Sequence, residues 1–333
     1  MEHFDDSNSH LERGKREHPT KDCAFLNMSQ PTSKDLQNLG VHVEEPRPLD
    51  SAAIADLEAA VRGDSYSKDV LASVPPKALD EILGCHWTKR DQKQLEMIRS
   101  HFALKDRTRM IVSTIFLCLA EFFTALDLVL VILPKIVVAR ANAVDESEYP
   151  VEVVWGENVR LLTANPDYGV GLLSKTGEGL KRNSVTNWKP ATVPANLTLF
   201  RKALEEIGLQ VGLICVFEVK RSDDPEKPNF ERQVPQAVAE TIAWYARARP
   251  LILLLPSLMI FFRFCSMEKA GVSTGKWILT DGVRWMFASV HKDLEKKPTY
   301  QYLCRSYRPW DTTGEGTTAL FKFLAYWLLW KSE

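Results

Sequence analysis

The six cysteines of this 333-residue chain (Cys23, Cys85, Cys118, Cys215, Cys265 and Cys304) form no Cys-x-x-Cys pair and no even framework spacing. That excludes a disulfide scaffold and fits reduced thiols inside a cell. Cys85-His86 has no matching pair to complete a zinc site. There is no Gly-x-Ser-x-Gly elbow and no internal repeat. Met1 to Glu17 has no apolar core of the kind a signal peptide needs, so the expected location is intracellular, in the nucleus or cytoplasm. Gly271-Val272-Ser273-Thr274-Gly275-Lys276 imitates a phosphate-binding loop. It has one residue too few between its glycines, and Trp277 stands where Ser or Thr belongs. An excess of either charge is missing too: 42 Lys+Arg face 43 Asp+Glu, a net of −1, which argues against a protein that coats nucleic acid with its whole surface.

What is present is ordinary in bulk and uneven in detail. Apolar residues make up 45% and charged residues 26%, as in globular proteins. Residues 1–150 carry 18 basic and 24 acidic side chains; residues 151–333 carry 24 and 19. An anionic partner is therefore expected on the C-terminal half. Residues 1–49 lack an apolar period and read as a disordered tail, in which Gly14-Lys15-Arg16 is a mildly basic patch. Residues 50–108 read as a helical extension: a helix capped by Asp50 or Ser51 and running to Arg62, a second from Pro76 to Leu83, and a third capped by Thr88 with Leu95, Ile98 and Phe102 on one face. Residues 109–333 read as one larger domain.

Met110 to Leu133 is apolar on all sides for 24 residues and ends at Pro134. A membrane span needs about 20 such residues. Glu121 and Asp127 oppose that reading, since each costs roughly 2.5–3.5 kcal/mol near a bilayer centre. A buried helix in a globular domain accounts for the same apolarity and is preferred. Leu251 to Phe262, broken by Pro256, is too short to span. Leu251 to Met267 stands where a short polar connection is expected, and reads either as a buried extra element or as sequence from a mis-spliced transcript. Strands are expected over Val151–Trp155, Val159–Thr163, Tyr168–Leu173 and Val211–Lys220. Helices are expected over Thr198–Ile207 and Val234–Arg247, and a hairpin over Trp277–Val290 around Asp281-Gly282. The chain closes on an aromatic helix, Thr317 to Trp330, whose Phe321, Tyr326, Trp327 and Trp330 read as core or as contacts of a homodimer.

The run Val211 to Lys220 carries the chemistry. Side chains alternate along a strand, so Glu218 and Lys220 leave by the same face. Five apolar residues precede Glu218, which makes the strand central and the two charges costly unless paired or bound to a metal. Upstream, Pro166-Asp167 puts an acid where another strand begins, a place where proline's missing N–H does no harm.

Pro166-Asp167, Glu218-Val219-Lys220 and a following helix that bears Gln236 resemble the PD-(D/E)XK nuclease superfamily. The hairpin Leu279 to Trp285 is similar to the segment after that helix in fungal and oomycete members, including some Crinkler-type effectors. The resemblance spans roughly Arg109 to Val290. It implies an α/β fold with a restriction-endonuclease-like core, a mixed central sheet flanked by helices, and the element order helix, three strands, helix, strand. It further implies metal-dependent hydrolysis of nucleic acid, DNA ahead of RNA, with Mg²⁺ (or Mn²⁺ in its stead) held by Asp167 and Glu218. Lys220 would orient the attacking water or stabilise the transition state. Gln236 would touch metal-bound water or substrate, and Glu121, on the helix before the sheet, would be a further metal ligand; Glu240 lies one turn beyond Gln236. Lys181, Arg182, Lys189, Arg201 and Lys202, in the insertion between the two acidic motifs, read either as phosphate contacts or as a solvated basic face. Two other readings stand beside the nuclease: an inactive module of the same fold that binds nucleic acid or protein, and a protein anchored in a membrane through 110–133.

Overall fold

Short polar side chains start the helices where the sequence places them. Asp50 Oδ1 accepts the Ala53 N–H at 2.9 Å. Asp91 accepts the Thr88 N–H at 2.8 Å while the Thr88 hydroxyl accepts the N–H of Asp91 at 3.4 Å. Such reciprocal caps satisfy the N–H groups that a first helical turn leaves orphaned. The computed structural model describes residues 24–26, 32–63, 76–101, 104–134, 151–155, 158–174, 214–220, 230–247, 274–293, 301–308, 310–311 and 316–330. In chain order the elements are β1 (Ala24–Leu26), α1 (Ser33–Asn38), β2 (Val41–Val43), α2 (Ser51–Gly63), α3 (Pro76–His86), α4 (Lys89–His101), α5 (Leu104–Ala125) and β3 (Leu128–Pro134). There follow β4 (Val151–Trp155), β5 (Asn158–Leu162), β6 (Tyr168–Ser174), β7 (Ile214–Val219), α6 (Val234–Arg247), β8 (Thr274–Thr280), β9 (Arg284–Asp293), β10 (Gln301–Ser306), β11 (Trp310–Asp311) and α7 (Thr317–Leu329).

The main sheet has the order β2-β10-β9-β8-β7-β6-β3, and β11 pairs with the start of β9 where β10 leaves off. It is mixed. β6 is antiparallel to both of its neighbours, β3 and β7, β7 and β8 run parallel across the α6 crossover, and β9 returns antiparallel. A separate sheet has the order β1-β5-β4. The chain is thus α/β, a mixed sheet between helical layers.

Alternation along the central strands sorts the core into two layers. Cys215 and Phe217 pack with α2, α3, α4, α5 and α7 in one apolar cluster. Val216 packs on the opposite face with Ala237, Val238, Ala239 and Ile242 of α6. Phe116 of α5 stacks edge-on against Phe217, ring centroids 4.9 Å apart. Helices α2–α4 share one core with α5 and α7, so the segment expected as an extension (50–108) forms a layer of the larger domain. Lys322 of α7 fastens this layer, reaching Asp80 at 2.7 Å and Glu58 at 3.4 Å.

Two expectations change. Residues 32–49 do not belong to a disordered tail: α1 is closed by a Thr32–Asp35 capping box, Leu36, Leu39 and Val41 are buried, and β2 pairs in parallel with β10. Elements of three to six residues cannot show a period, and the partner that stabilises β2 lies some 260 residues away in sequence. The apolar run from Met110 to Leu133 is not one element either. Helix α5 ends at Ala125, the chain turns at Leu126-Asp127 with Asp127 at φ +56°, and strand β3 follows. Residues 107–125 remain long and apolar enough to cross a membrane, with half of that stretch buried inside the protein. The Gly14-Lys15-Arg16 patch, the 175–210 insertion with its basic residues and helix 198–207, and the 251–267 stretch lie outside the described residues.

Candidate active site

Asp167, Glu218 and Lys220 meet because of register. Tyr168 pairs with Phe217, so one further step sets Asp167 opposite Glu218. Cross-strand partners project to the same face, here the α6 face, since Tyr168 and Phe217 both belong to the other. Asp167 Oδ2 accepts the Val219 N–H at 2.9 Å and fastens the acid to the β7 backbone. The Lys220 N–H bonds to Thr280 O at 2.8 Å and extends the β7–β8 ladder by one residue.

Helix α6 completes the site. Its Gln236 amide oxygen accepts from Lys220 Nζ at 2.7 Å, and its Nε2 donates to Glu218 Oε1 at 2.9 Å and to Glu240 Oε1 at 3.0 Å. Lys220 Nζ also lies 2.6 Å from Glu218 Oε1. Glu218 and Glu240 are 3% and 2% exposed, and the second oxygen of each is buried, receives no N–H or hydroxyl, and leaves the two carboxyls to share a hydrogen bond with each other. Lys220 keeps a quarter of its side chain in contact with solvent, so the cluster opens at the lysine and closes behind the glutamates. Burial pushes the Glu218 carboxyl above the usual range, Lys220 opposes that shift, and the Asp167 charge adds to it. Glu240 is held well above its ordinary value by burial and then by the Glu218 charge. A proton is thus easily retained at this pair in the absence of a cation.

The hairpin after β8 flanks the same end of the sheet. Asp281 Oδ1 accepts the N–H groups of Val283 and Arg284, and its Oδ2 takes the Arg284 guanidinium at 2.7–2.9 Å. Gly282 sits at φ +84°, where an added Cβ would meet Thr108 Cα at 3.3 Å. The Thr108 hydroxyl donates to Asp281 O at 3.0 Å and ties α5 to the turn. Arg284 covers the Phe230 ring, 4.8 Å from its centroid.

Of the residues singled out in the sequence, Asp167, Glu218, Lys220 and Gln236 come together, and Glu121 does not. Glu121 lies on α5, the helix packed on the opposite face of the sheet, and about 20 Å along it from Thr108. Its side chain is 72% exposed and lies 3.8 Å from His86 of α3. The mid-helix acid in an apolar segment marks a solvent-facing stripe rather than a metal ligand. Glu240 is legible only as a residue four positions after Gln236, a spacing that puts both on one helix face. Among the described residues no three His, Cys, Asp or Glu side chains gather closely enough to hold an ion by themselves. Lys276, the end of the phosphate-loop imitation, lies in a strand, and its ammonium meets Trp327 O and Trp330 O at 2.6 and 2.7 Å. No family model and no curated protein matches this chain.

Proposed function

We propose that this protein is a Mg²⁺-dependent hydrolase of nucleic-acid phosphodiesters, with DNA ahead of RNA as substrate, built on a restriction-endonuclease-like core. One observation carries the reading: Asp167, Glu218, Lys220 and Gln236, contributed by two strands and a helix far apart in sequence, share one face at one end of a central sheet. The element order supports the fold. From α5, three strands of the main sheet (β3, β6, β7), helix α6 and the parallel strand β8 follow in turn, and β4 and β5 are set aside in the small sheet.

The residues fit a hard divalent cation. Carboxylate oxygens suit Mg²⁺ and Mn²⁺, and the buried Glu218 Oε2, which no N–H or hydroxyl reaches, is an acceptor that a cation would take over from the proton held between Glu218 and Glu240. Asp167 and Glu218 would hold the ion, which when bound lowers the pKa of its water and offsets charge on the scissile phosphate. The remaining work falls to the chain itself. Lys220, held by Glu218 and Gln236 with its ammonium at the open end, offers a fixed point charge to a phosphate oxygen as negative charge builds there. Asp167, bonded to the β7 backbone, is kept in register with Glu218. The apolar layer behind Glu218 and Glu240 keeps bulk water from the inner side and strengthens every charge in the cluster.

A second reading, an inactive nuclease-fold module, is favoured by one feature: Glu218 Oε1 is already engaged by both Lys220 and Gln236. Incubating the purified protein with plasmid and with RNA in Mg²⁺ separates the two. Cleavage should fall about 10²–10³-fold in Asp167→Ala and in Lys220→Ala. Cleavage that persists in both variants would place the activity elsewhere, and wild-type binding without cleavage would establish the inactive module.

A further inference from the structure

Glu240 is an unusual occupant of its position. Its neighbours on α6, Ala237, Val238, Ala239, Ile242 and Ala243, are buried and apolar, and Glu240 itself is 2% exposed. An apolar side chain would pack there without the desolvation cost that a carboxyl carries. One of its oxygens is aimed at a single donor. Oε1 accepts from Gln236 Nε2 at 3.0 Å, no other N–H or hydroxyl reaches the carboxyl, and its remaining contact is with the Glu218 carboxyl. Gln236 has two amide hydrogens and one amide oxygen. Glu218 and Glu240 take the hydrogens, and Lys220 donates to the oxygen.

An amide can be turned over with little change of shape, which would exchange its oxygen and nitrogen. Turned over, Gln236 would aim an N–H at the Lys220 ammonium and its oxygen at two carboxyls. Lys220 and Glu218 oppose that exchange, but with Glu218 as the sole acceptor one amide hydrogen would be left unsatisfied and the amide less firmly held. Glu240 tightens the hold by accepting the second hydrogen.

We propose that Glu240 is a positioning residue: through the Gln236 amide it fixes where the Lys220 ammonium and the Glu218 carboxylate stand. The effect on catalysis rests on the nuclease reading; the effect on Gln236 does not. The experiment therefore follows both. Glu240→Leu removes the acceptor at similar size, Glu240→Gln keeps an acceptor oxygen, and Glu240→Met gives a second apolar variant should leucine fail to fold. The side-chain amide ¹⁵N resonance of Gln236, identified by its loss in Gln236→Met, reports the contact directly, and Mg²⁺-dependent plasmid cleavage reports its use.

In Glu240→Leu or Glu240→Met the Gln236 resonance should shift or broaden. The kcat should fall about 10–100-fold with little change in KM, and the melting temperature should not drop. Glu240→Gln should restore both the resonance and the rate. A Gln236 resonance unmoved in the apolar variants, or a Gln variant as impaired as they are, would overturn the proposal. A shifted resonance in a protein whose wild type cleaves nothing would uphold the positioning role and remove the nuclease reading alone.

Discussion

Lys220 and Lys276 leave neighbouring strands by opposite faces, and both are held by short contacts. Lys276 is 1% exposed and meets two main-chain carbonyls at the end of α7. A cation at that place complements the negative end of the helix and takes up oxygens the last turn leaves over. Lys220 meets a carboxylate and an amide, keeps a solvent-facing flank, and stands beside acceptor oxygens that no N–H or hydroxyl reaches. The first arrangement is saturated and immobile, as a structural clamp should be. The second retains capacity for something from outside. For a buried lysine, the partner left unsatisfied nearby distinguishes a site from a brace better than the strength of its contacts does.

Exchange of each lysine for methionine tests that contrast most severely. Lys220→Met should lose about 10²–10³-fold in cleavage rate, with the loss of stability limited by protonation of the buried Glu218 that it leaves unpaired. Lys276→Met should do the reverse: cleavage by the folded protein unchanged, stability lower by roughly 1–3 kcal/mol because buried carbonyls lose their donor. Loss of cleavage in both, at temperatures where both remain folded, would break the distinction. A smaller effect is expected at the hairpin that borders the Lys220 end. Gly282→Ala forces an L-residue to a positive φ and crowds Thr108, which should lower stability by about 1–2 kcal/mol in chemical denaturation.

The smallest effect is a pH dependence. Glu240 in the folded protein holds its proton above the ordinary carboxyl value of 4.5. Between that value and the raised one the native state binds more protons than the unfolded chain, so stability declines as pH rises through the window. Glu240→Gln removes this group's share of the decline, leaving that of Glu218. The melting-temperature difference between variant and wild type, measured without divalent ions, should be flat below the ordinary carboxyl value of 4.5 and grow in the variant's favour above it. A difference that shrinks with rising pH would contradict the raised carboxyl.

Several of these features can be read from residues alone. Val234–Arg247 and Val151–Trp155 appear with the expected bounds, and the hairpin turns at Asp281-Gly282. Alternation along the strand after Val211 is enough to put Glu218 and Lys220 on one face, and Asp167 joins them through the β6–β7 register. What stays hidden depends on partners distant in sequence. β2 and β10 are short and stabilise each other. β3 merges with α5 in the sequence because leucine, valine and isoleucine suit a buried helix and a buried strand alike, and only Asp127 in the left-handed region marks the change. Glu121 misleads for a related reason: its linear spacing suits a helix before the sheet, but the face that the helix turns toward the core is settled by packing.

The pairing of β2 with β10, and the fastening of α2 and α3 to α7 through Lys322, have a consequence for how the chain comes to be folded. During synthesis, residues 41–43 and helix α2 must wait for strand 301–306 and helix 317–329 to be made before they meet those native partners, while α3 and α4 can pack early on α5. Until then the surfaces of β2 and α2 that meet β10 and α7 have no native cover. Closing such long loops makes folding slow and leaves intermediates open to aggregation. A protein with this wiring should depend on chaperones more than its length alone would suggest.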